Sequence, residues 1–109
     1  MDERPKGAVF LVDRIWPRGV KKDRLELTDW LRDVAPSAEL RTWFGHDPQR
    51  WAEFQRRYRD ELDNKDDDTL KPIVDAARKG PVTLLYGARD TEHNNALVLR
   101  DYVDERLDT

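Results

Sequence analysis

The stretch Gly7-Ala8-Val9-Phe10-Leu11-Val12-Asp13-Arg14-Ile15-Trp16-Pro17-Arg18-Gly19 decides the fold. Ala8 to Val12 are apolar without a break. A strand with one wet face alternates, whereas a short continuous run suits a strand buried on both faces, as in a parallel sheet. The run stops at Asp13, and Pro17 and Gly19 turn the segment after it into a loop. Val82-Thr83-Leu84-Leu85-Tyr86 repeats the arrangement and ends in a second polar loop, Gly87 to Asn95.

The residues between the two strands read as helices. Leu25, Leu27, Trp30, Leu31 and Val34 predict a short helix, capped by Asp23 or Thr28 and ended by Pro36. Ser37 caps a second helix, Ala38 to Phe44, closed by Gly45 in a left-handed conformation. Asp47-Pro48 is the clearest start signal, and the helix from Gln49 to about Leu62 carries Trp51, Phe54, Tyr58 and Leu62 on one stripe. After the charged turn Asn64 to Asp68, Thr69 or Asp68 caps a helix with Leu70, Ile73, Val74 and Ala77 inward and Pro72 in its first turn. Gly80-Pro81 stops it. A last helix places Ala96, Leu99, Val103 and Leu107 inward. The expected class is α/β: a small, mostly parallel sheet with helices packed on it, several of them between the two clear strands. Two strands alone make a thin sheet.

The 109 residues amount to one domain, expected to span 1–109. Charged residues are 39% and hydrophobic ones 38% of the chain, yet four Trp, three Tyr and three Phe at helical spacing mark a packed core rather than disorder. There is no cysteine, which excludes disulfides, thiolate metal sites and a cysteine nucleophile. No apolar run approaches the ~18 residues of a membrane span, so no membrane partner is expected. Met1 to Gly7 lack the apolar core of a signal peptide, and the cytoplasm is the expected compartment. A net charge of −3 makes nucleic acid the less favoured partner. No Walker loop or Gly-x-Gly-x-x-Gly run is present, so no cofactor is expected. The spacing of His46 and His93 matches no ligand motif, so no metal is expected either.

If the strands are parallel, both polar loops lie on one edge of the sheet, where ligands bind in open α/β folds. The first loop offers Asp13, Arg14, Trp16, Arg18 and Gly19. The second offers Arg89, Asp90, His93, Asn94 and Asn95. Arg14, Arg18 and Arg89 suit an anion, because a guanidinium presents a planar fork of donors. The alternative is that Asp13–Arg89 and Asp90–Arg14 pairs merely brace the loops. N–H groups at a helix start near Thr91 to His93 would face the same anion. Asp13, Asp90 and His93 are the candidates for proton transfer, and His46 beside Asp47 is a further ligand-binding candidate. For both histidines the alternative is a hydrogen-bonded structural role. Trp16 could stack a ring, while Trp30, Trp43 and Trp51 are read as core. Ser37, the only serine, is a cap rather than a nucleophile.

The segment Leu11 to Gly19 resembles the signature of the YeaO-like family, domain of unknown function 488, an uncharacterised bacterial and archaeal group. So do Trp43-Phe44-Gly45-His46-Asp47-Pro48 with Trp51 and Phe54, Leu84-Leu85-Tyr86, Ala88-Arg89-Asp90 and His93-Asn94. The resemblance implies which residues form the signature, and they coincide with the two strand-end clusters. It implies no reaction. Family members usually begin with a further short strand before the segment matching Asp2-Glu3-Arg4-Pro5, and here either the start is trimmed or this member lacks that strand. If the strand is absent, the resemblance implies an exposed sheet edge that a partner subunit would cover, a homo-oligomer. The expected function is binding of a small phosphate-containing anion, a nucleotide or phosphate ester, with hydrolysis as its stronger form. The alternatives are a non-catalytic binding module, nucleic-acid-associated versions included, and an interaction protein whose signature residues form a loop network.

Overall fold

The computed structural model describes residues 7–21 and 26–107. Strand β1 (Ala8–Leu11) is the middle of a three-stranded sheet of order β2-β1-β3. It pairs in parallel with β3 (Val82–Leu85) from Ala8 against Val82 to Leu11 against Leu85. On its other side it pairs in parallel with β2 (Asp29–Trp30), Phe10 against Asp29 and Leu11 against Trp30. The central position accounts for the unbroken apolar run: Val9 to Val12 are all buried, whereas the residues of the edge strand β3 are each partly exposed.

β2 is a correction. The helix expected over Leu25 to Val34 does not form among the described residues, which exclude Leu25. A two-residue strand and a 3-10 turn (Arg32–Val34) stand there instead. Backbone demand explains the difference. Thr28 N–H donates to the Val9 carbonyl at 2.7 Å, and Leu31 N–H donates to that of Leu11 at 2.9 Å. Val9 N–H donates to the Thr28 hydroxyl oxygen at 2.9 Å. Without these bonds the second edge of a buried strand would lack partners, a cost that outweighs a short helical pattern. The sheet is therefore wider by one strand than two apolar runs imply. Asp2 to Pro5, the segment that the family's extra strand would precede, lie outside the described residues.

The helices follow their caps more closely. In α1 (Ala38–Phe44), the Ser37 side chain accepts from Leu40 N–H, and Gly45 closes the helix at φ 54°. Asp47 accepts from Gln49 N–H at 3.0 Å, but its turn (Pro48–Arg50) is 3-10, and α2 (Trp51–Asp63) begins only at Trp51. Helix α3 (Asp67–Lys79) starts earlier than a Thr69 or Asp68 cap would place it, so Pro72 lies in its interior. The final helix is α4 (Asn95–Leu107).

The stripe on α2 supplies the centre of the core. Phe54, Tyr58 and Leu62 are buried, with Trp51 half-buried beside them. They pack with Phe10 and Val12 of the sheet side, Ile73 of α3 and Leu99 of α4. Each large side chain so buried contributes about 1.5–3 kcal/mol of transfer free energy. Tyr58 donates its hydroxyl to the Val34 carbonyl, and burial pushes the phenol above its ordinary range.

The amino end of the sheet depends on Gly7. Its φ is +77°, and a Cβ there would stand 2.1 Å from the Pro81 carbonyl oxygen. That same oxygen accepts from Ala8 N–H at 3.2 Å, where β1 and β3 first meet.

Candidate functional site

The parallel pairing places both polar loops at one end of the sheet, as the sequence predicts. The strand order also reverses here, because the chain leaves β1 for β2 on one side and later returns as β3 on the other. Such a reversal opens a crevice beyond the strand ends. A cavity of about 270 Å³ lies there. Asp13, Arg14 and Ile15 enter from the β1 side, and Gly87, Ala88 and His93 to Asn95 from the β3 side. Helix α1 contributes Arg41 and Phe44, and α2 contributes Phe54. Ala35, Pro36 and His46 complete the wall.

The two carboxylates are held by the loops themselves. Asp13 Oδ2 accepts from Gly87 N–H at 2.5 Å, and Oδ1 accepts from the Asn95 side-chain amide at 3.1 Å. The approach is close enough that a Cβ on Gly87 would sit 3.1 Å from Oδ2. The Asp13 carbonyl accepts from the Trp30 indole at 2.7 Å, which ties β2 to the same loop. Asp90 Oδ1 accepts from Glu92 N–H at 2.8 Å and from His93 N–H at 3.0 Å, while Oδ2 meets His93 Nδ1 at 2.9 Å. The Glu92 N–H, with His93 next, holds the Asp90 carboxyl below its ordinary range. An ionised Asp90 can only accept, so His93 donates from Nδ1, and in the neutral ring the lone pair lies on Nε2.

Asn94 is 2% exposed and joins the loop to the helix. It donates to the Asp90 carbonyl at 3.0 Å and accepts from Leu97 N–H at 3.1 Å, which caps α4. The helix start therefore lies at Asn95, beyond the expected Thr91 to His93.

The arginines are treated differently. Among the described residues neither Asp13–Arg89 nor Asp90–Arg14 pairs, so the bracing scheme built on those pairs is corrected: loop N–H groups, the Asn95 amide and the His93 ring do the bracing. Arg14 Nε and Arg41 Nε are both buried, and neither has a hydrogen-bond partner. Arg41 is absent from the candidates that the sequence offers. Its signal is the spacing to Phe44, three residues on, which puts the two on one face of α1.

Other candidates stand outside the cavity wall. Arg18, Gly19 and Arg89 are exposed. Trp16 donates its indole N–H to the Val20 carbonyl at 2.6 Å and packs edge-on against Trp30, with centroids 5.3 Å apart. Arg32 lies 3.8 Å over the other ring of that pair, so Trp30 covers the sheet edge instead of entering the main core. His46 adopts a left-handed φ of 57° and reaches the wall beside Phe44. Its neighbour Asp47 is engaged with Gln49 N–H. His93 meets the Trp51 ring edge-on at 5.3 Å.

Among the described residues no serine, threonine, lysine, tyrosine or cysteine lines the cavity. Ser37 is committed elsewhere, donating its hydroxyl to Glu61 at 2.6 Å. Among the described residues no group of three or more His, Asp or Glu could hold a metal ion, and no helix is long and apolar enough to cross a membrane.

Fold and site together define a small parallel α/β protein with a basic, aromatic-walled cavity where its strand order reverses. Across residues 1–109 the chain matches the family model described as the inactive DUF488-N3 subclade. It is 43% identical over 101 residues to the uncharacterized protein YeaO of Escherichia coli (strain K12), covering 93% of this chain and 87% of that one. It is 39% identical over 100 residues to the uncharacterized proteins Rv3073c of Mycobacterium tuberculosis (strain H37Rv) and Mb3100c of Mycobacterium bovis, covering 92% of this chain and 83% of each. No solved structure matches the chain. The chain belongs to the YeaO-like DUF488 family.

Proposed function

We propose that this chain is a binding module for a small phosphate-containing anion, seated between the ends of β1 and β3, without turnover of its own. One observation carries the reading: Arg14 Nε and Arg41 Nε are buried in one cavity wall with no partner. A buried polar group left unpaired costs about 1–3 kcal/mol, more when charged. Anion oxygens would answer both. The carboxylates that could have neutralised these arginines are taken by Gly87, Asn95, Glu92 and His93. The amino end of α4 faces the same space and adds its favourable dipole. His46, His93 and Asn94 complete the ligand-facing set. Arg18 and Arg89, exposed on the two loops, would draw an anion in, while Gly19 and Trp16 shape the first loop. The absence of cysteine agrees with a cytoplasmic setting.

Hydrolysis is the second reading, and the Asp90–His93 contact favours it. With Nδ1 bonded to Asp90, Nε2 could take a proton from water, with Asp13 nearby on the wall. The lack of a side-chain hydroxyl, amine or thiol in the described wall and the description of the subclade as inactive weigh against it.

The test is calorimetry and thermal shift with inorganic phosphate, pyrophosphate and nucleoside monophosphates. A ligand at a hundred times its Kd adds about 2.7 kcal/mol, a shift of several degrees for a chain of this length. Binding should be lost in Arg14→Ala and in Arg41→Ala, with no product formed by the wild type. Wild-type protein that binds none of these anions defeats the proposal. Steady product release that stops in His93→Ala replaces it with hydrolysis.

A further inference from the structure

The charges around the cavity cancel before any ligand arrives. Arg14 and Arg41 line it as cations, Asp13 lines it as a carboxylate, and Asp90 brings a second carboxylate to the lining residue His93. The amino end of α4 adds only a partial positive charge. A phosphate monoester loses its second proton at about pH 6 and is a dianion above neutrality. In this space a dianion is short of positive charge unless a neutral group on the lining takes up a proton. Among the described lining residues that group is His46 or His93.

The geometry separates the two. His93 Nδ1 lies 2.9 Å from Asp90 Oδ2, so the carboxylate fixes the ring and favours its charged form. The ring lines the cavity with Nδ1 already committed, which leaves Nε2 to meet a ligand. In the neutral ring Nε2 is an acceptor and repels a phosphate oxygen, whereas in the protonated ring it donates a charge-assisted hydrogen bond. The other charged or titratable groups about His93 are Asp13 and Arg14 from the β1 loop, Arg41 from α1, His46, and Arg89 and Glu92, exposed on its own loop. Helix α2 meets it with the uncharged Trp51 ring, edge-on at 5.3 Å. Among the described residues no carboxylate bonds the His46 ring: its neighbour Asp47 accepts from Gln49 N–H and lies 3.8 Å from Arg50.

We infer that a phosphate monoester dianion enters this site together with one proton, which the solvent delivers to His93 Nε2, and that Asp90 is the positioning residue for that ring. An N–H bond forms at the expense of a buffer acid, and no bond of the ligand breaks. The inference rests on the anion-binding reading above and adds the proton that accompanies the ligand.

Calorimetry of the full chain with methyl phosphate, repeated in buffers of different ionisation enthalpy, counts the protons. At about pH 8 a free imidazole is neutral, so uptake of about one proton per ligand is expected. Affinity should fall several-fold from about pH 7.5 to about pH 8.5, because binding and proton uptake are linked. In His93→Gln, whose amide does not titrate, the uptake and the pH dependence should both vanish while weaker binding remains. Asp90→Asn should lower the uptake, and His46→Gln should keep it. Nitrogen NMR of the wild type reads the same event without substitution, since the chain has only two histidines: on saturation the His93 Nε2 signal should move to the protonated position.

Methyl phosphate that binds without proton uptake overturns the inference and leaves the anion reading standing. Uptake that survives His93→Gln, or an unprotonated Nε2 in the saturated wild type, does the same. No binding of methyl phosphate at all defeats both.

Discussion

The junction of α1 with α2 and the cavity beside it handle the same kinds of group in opposite ways. At the junction the Ser37 N–H and hydroxyl both donate to the Glu61 carboxylate, at 2.8 and 2.6 Å, while the Ser37 oxygen accepts from Leu40 N–H. Tyr58 is 0% exposed, and its hydroxyl has the Val34 carbonyl as partner. One turn along α1, Arg41 Nε is just as enclosed and has none, and Arg14 repeats the pattern from the β1 loop. A chain that supplies partners so fully at the junction is not short of acceptors. Asp13 lines the cavity and Asp90 belongs to the loop after β3, and both are taken by loop N–H groups and by the Asn95 and His93 side chains. Native structures leave few buried polar atoms unanswered, so each one that remains calls for an explanation. On the proposed reading the junction is framework and the cavity takes its partner from outside.

That division is open to attack by substitution on each side. Framework changes should cost stability and spare anion affinity in the folded fraction, whereas Arg14→Ala and Arg41→Ala should do the reverse. The largest effect is expected from Gly7→Ala. The new Cβ would meet the Pro81 oxygen at 2.1 Å on a backbone already at positive φ. A loss of about 2–4 kcal/mol in urea unfolding is expected. A loss under about 1 kcal/mol would show that the amino end of the sheet yields freely, against the framework assignment.

Tyr58→Phe comes next. It keeps the ring and strands the buried Val34 carbonyl, for a loss of about 1–2 kcal/mol by the same measurement. Unchanged stability would mean that the junction tolerates an unanswered acceptor as the cavity does, and the comparison would fail.

The smallest effect belongs to Asp90→Asn in the loop after β3. Asp90 has its folded pKa depressed, so its contribution is present above the ordinary carboxylate range and fades as the pH falls through the folded value. Wild type should exceed the variant in stability near neutrality by a margin that closes in acid. A margin independent of pH would assign the Asp90 contribution to shape alone.

The parts legible in the sequence are those set by local rules. An unbroken apolar run in Ala8–Val12 needs burial on both faces, and the central strand supplies it. Ser37, Gly45 and the Trp51-to-Leu62 stripe act within a turn or two of themselves, and they hold in the structure. The placement of Asp13 with His93 and Asn94 also follows, because parallel strands end on the same edge. The hidden parts depend on distant partners. The segment through Trp30 has a helical pattern, but the open edge of β1 claims Thr28 and Leu31 through hydrogen bonds across the sheet. Asp13 and Asp90 have the spacing of partners for arginines, yet loop N–H groups reach them first.

The sequence by itself determined the α/β class, the two parallel strands β1 and β3, the caps of α1 and the loops that would meet. Periodicity, capping and apolar runs are encoded between near neighbours. Only the tertiary structure decided that a third strand completes the sheet and that the carboxylates are already bonded. It alone put Arg41 and Arg14 on the lining of one cavity with no partner for either Nε. Each of those turns on which buried polar group wins a given partner across the chain, a competition settled by three-dimensional packing and invisible to spacing along the sequence.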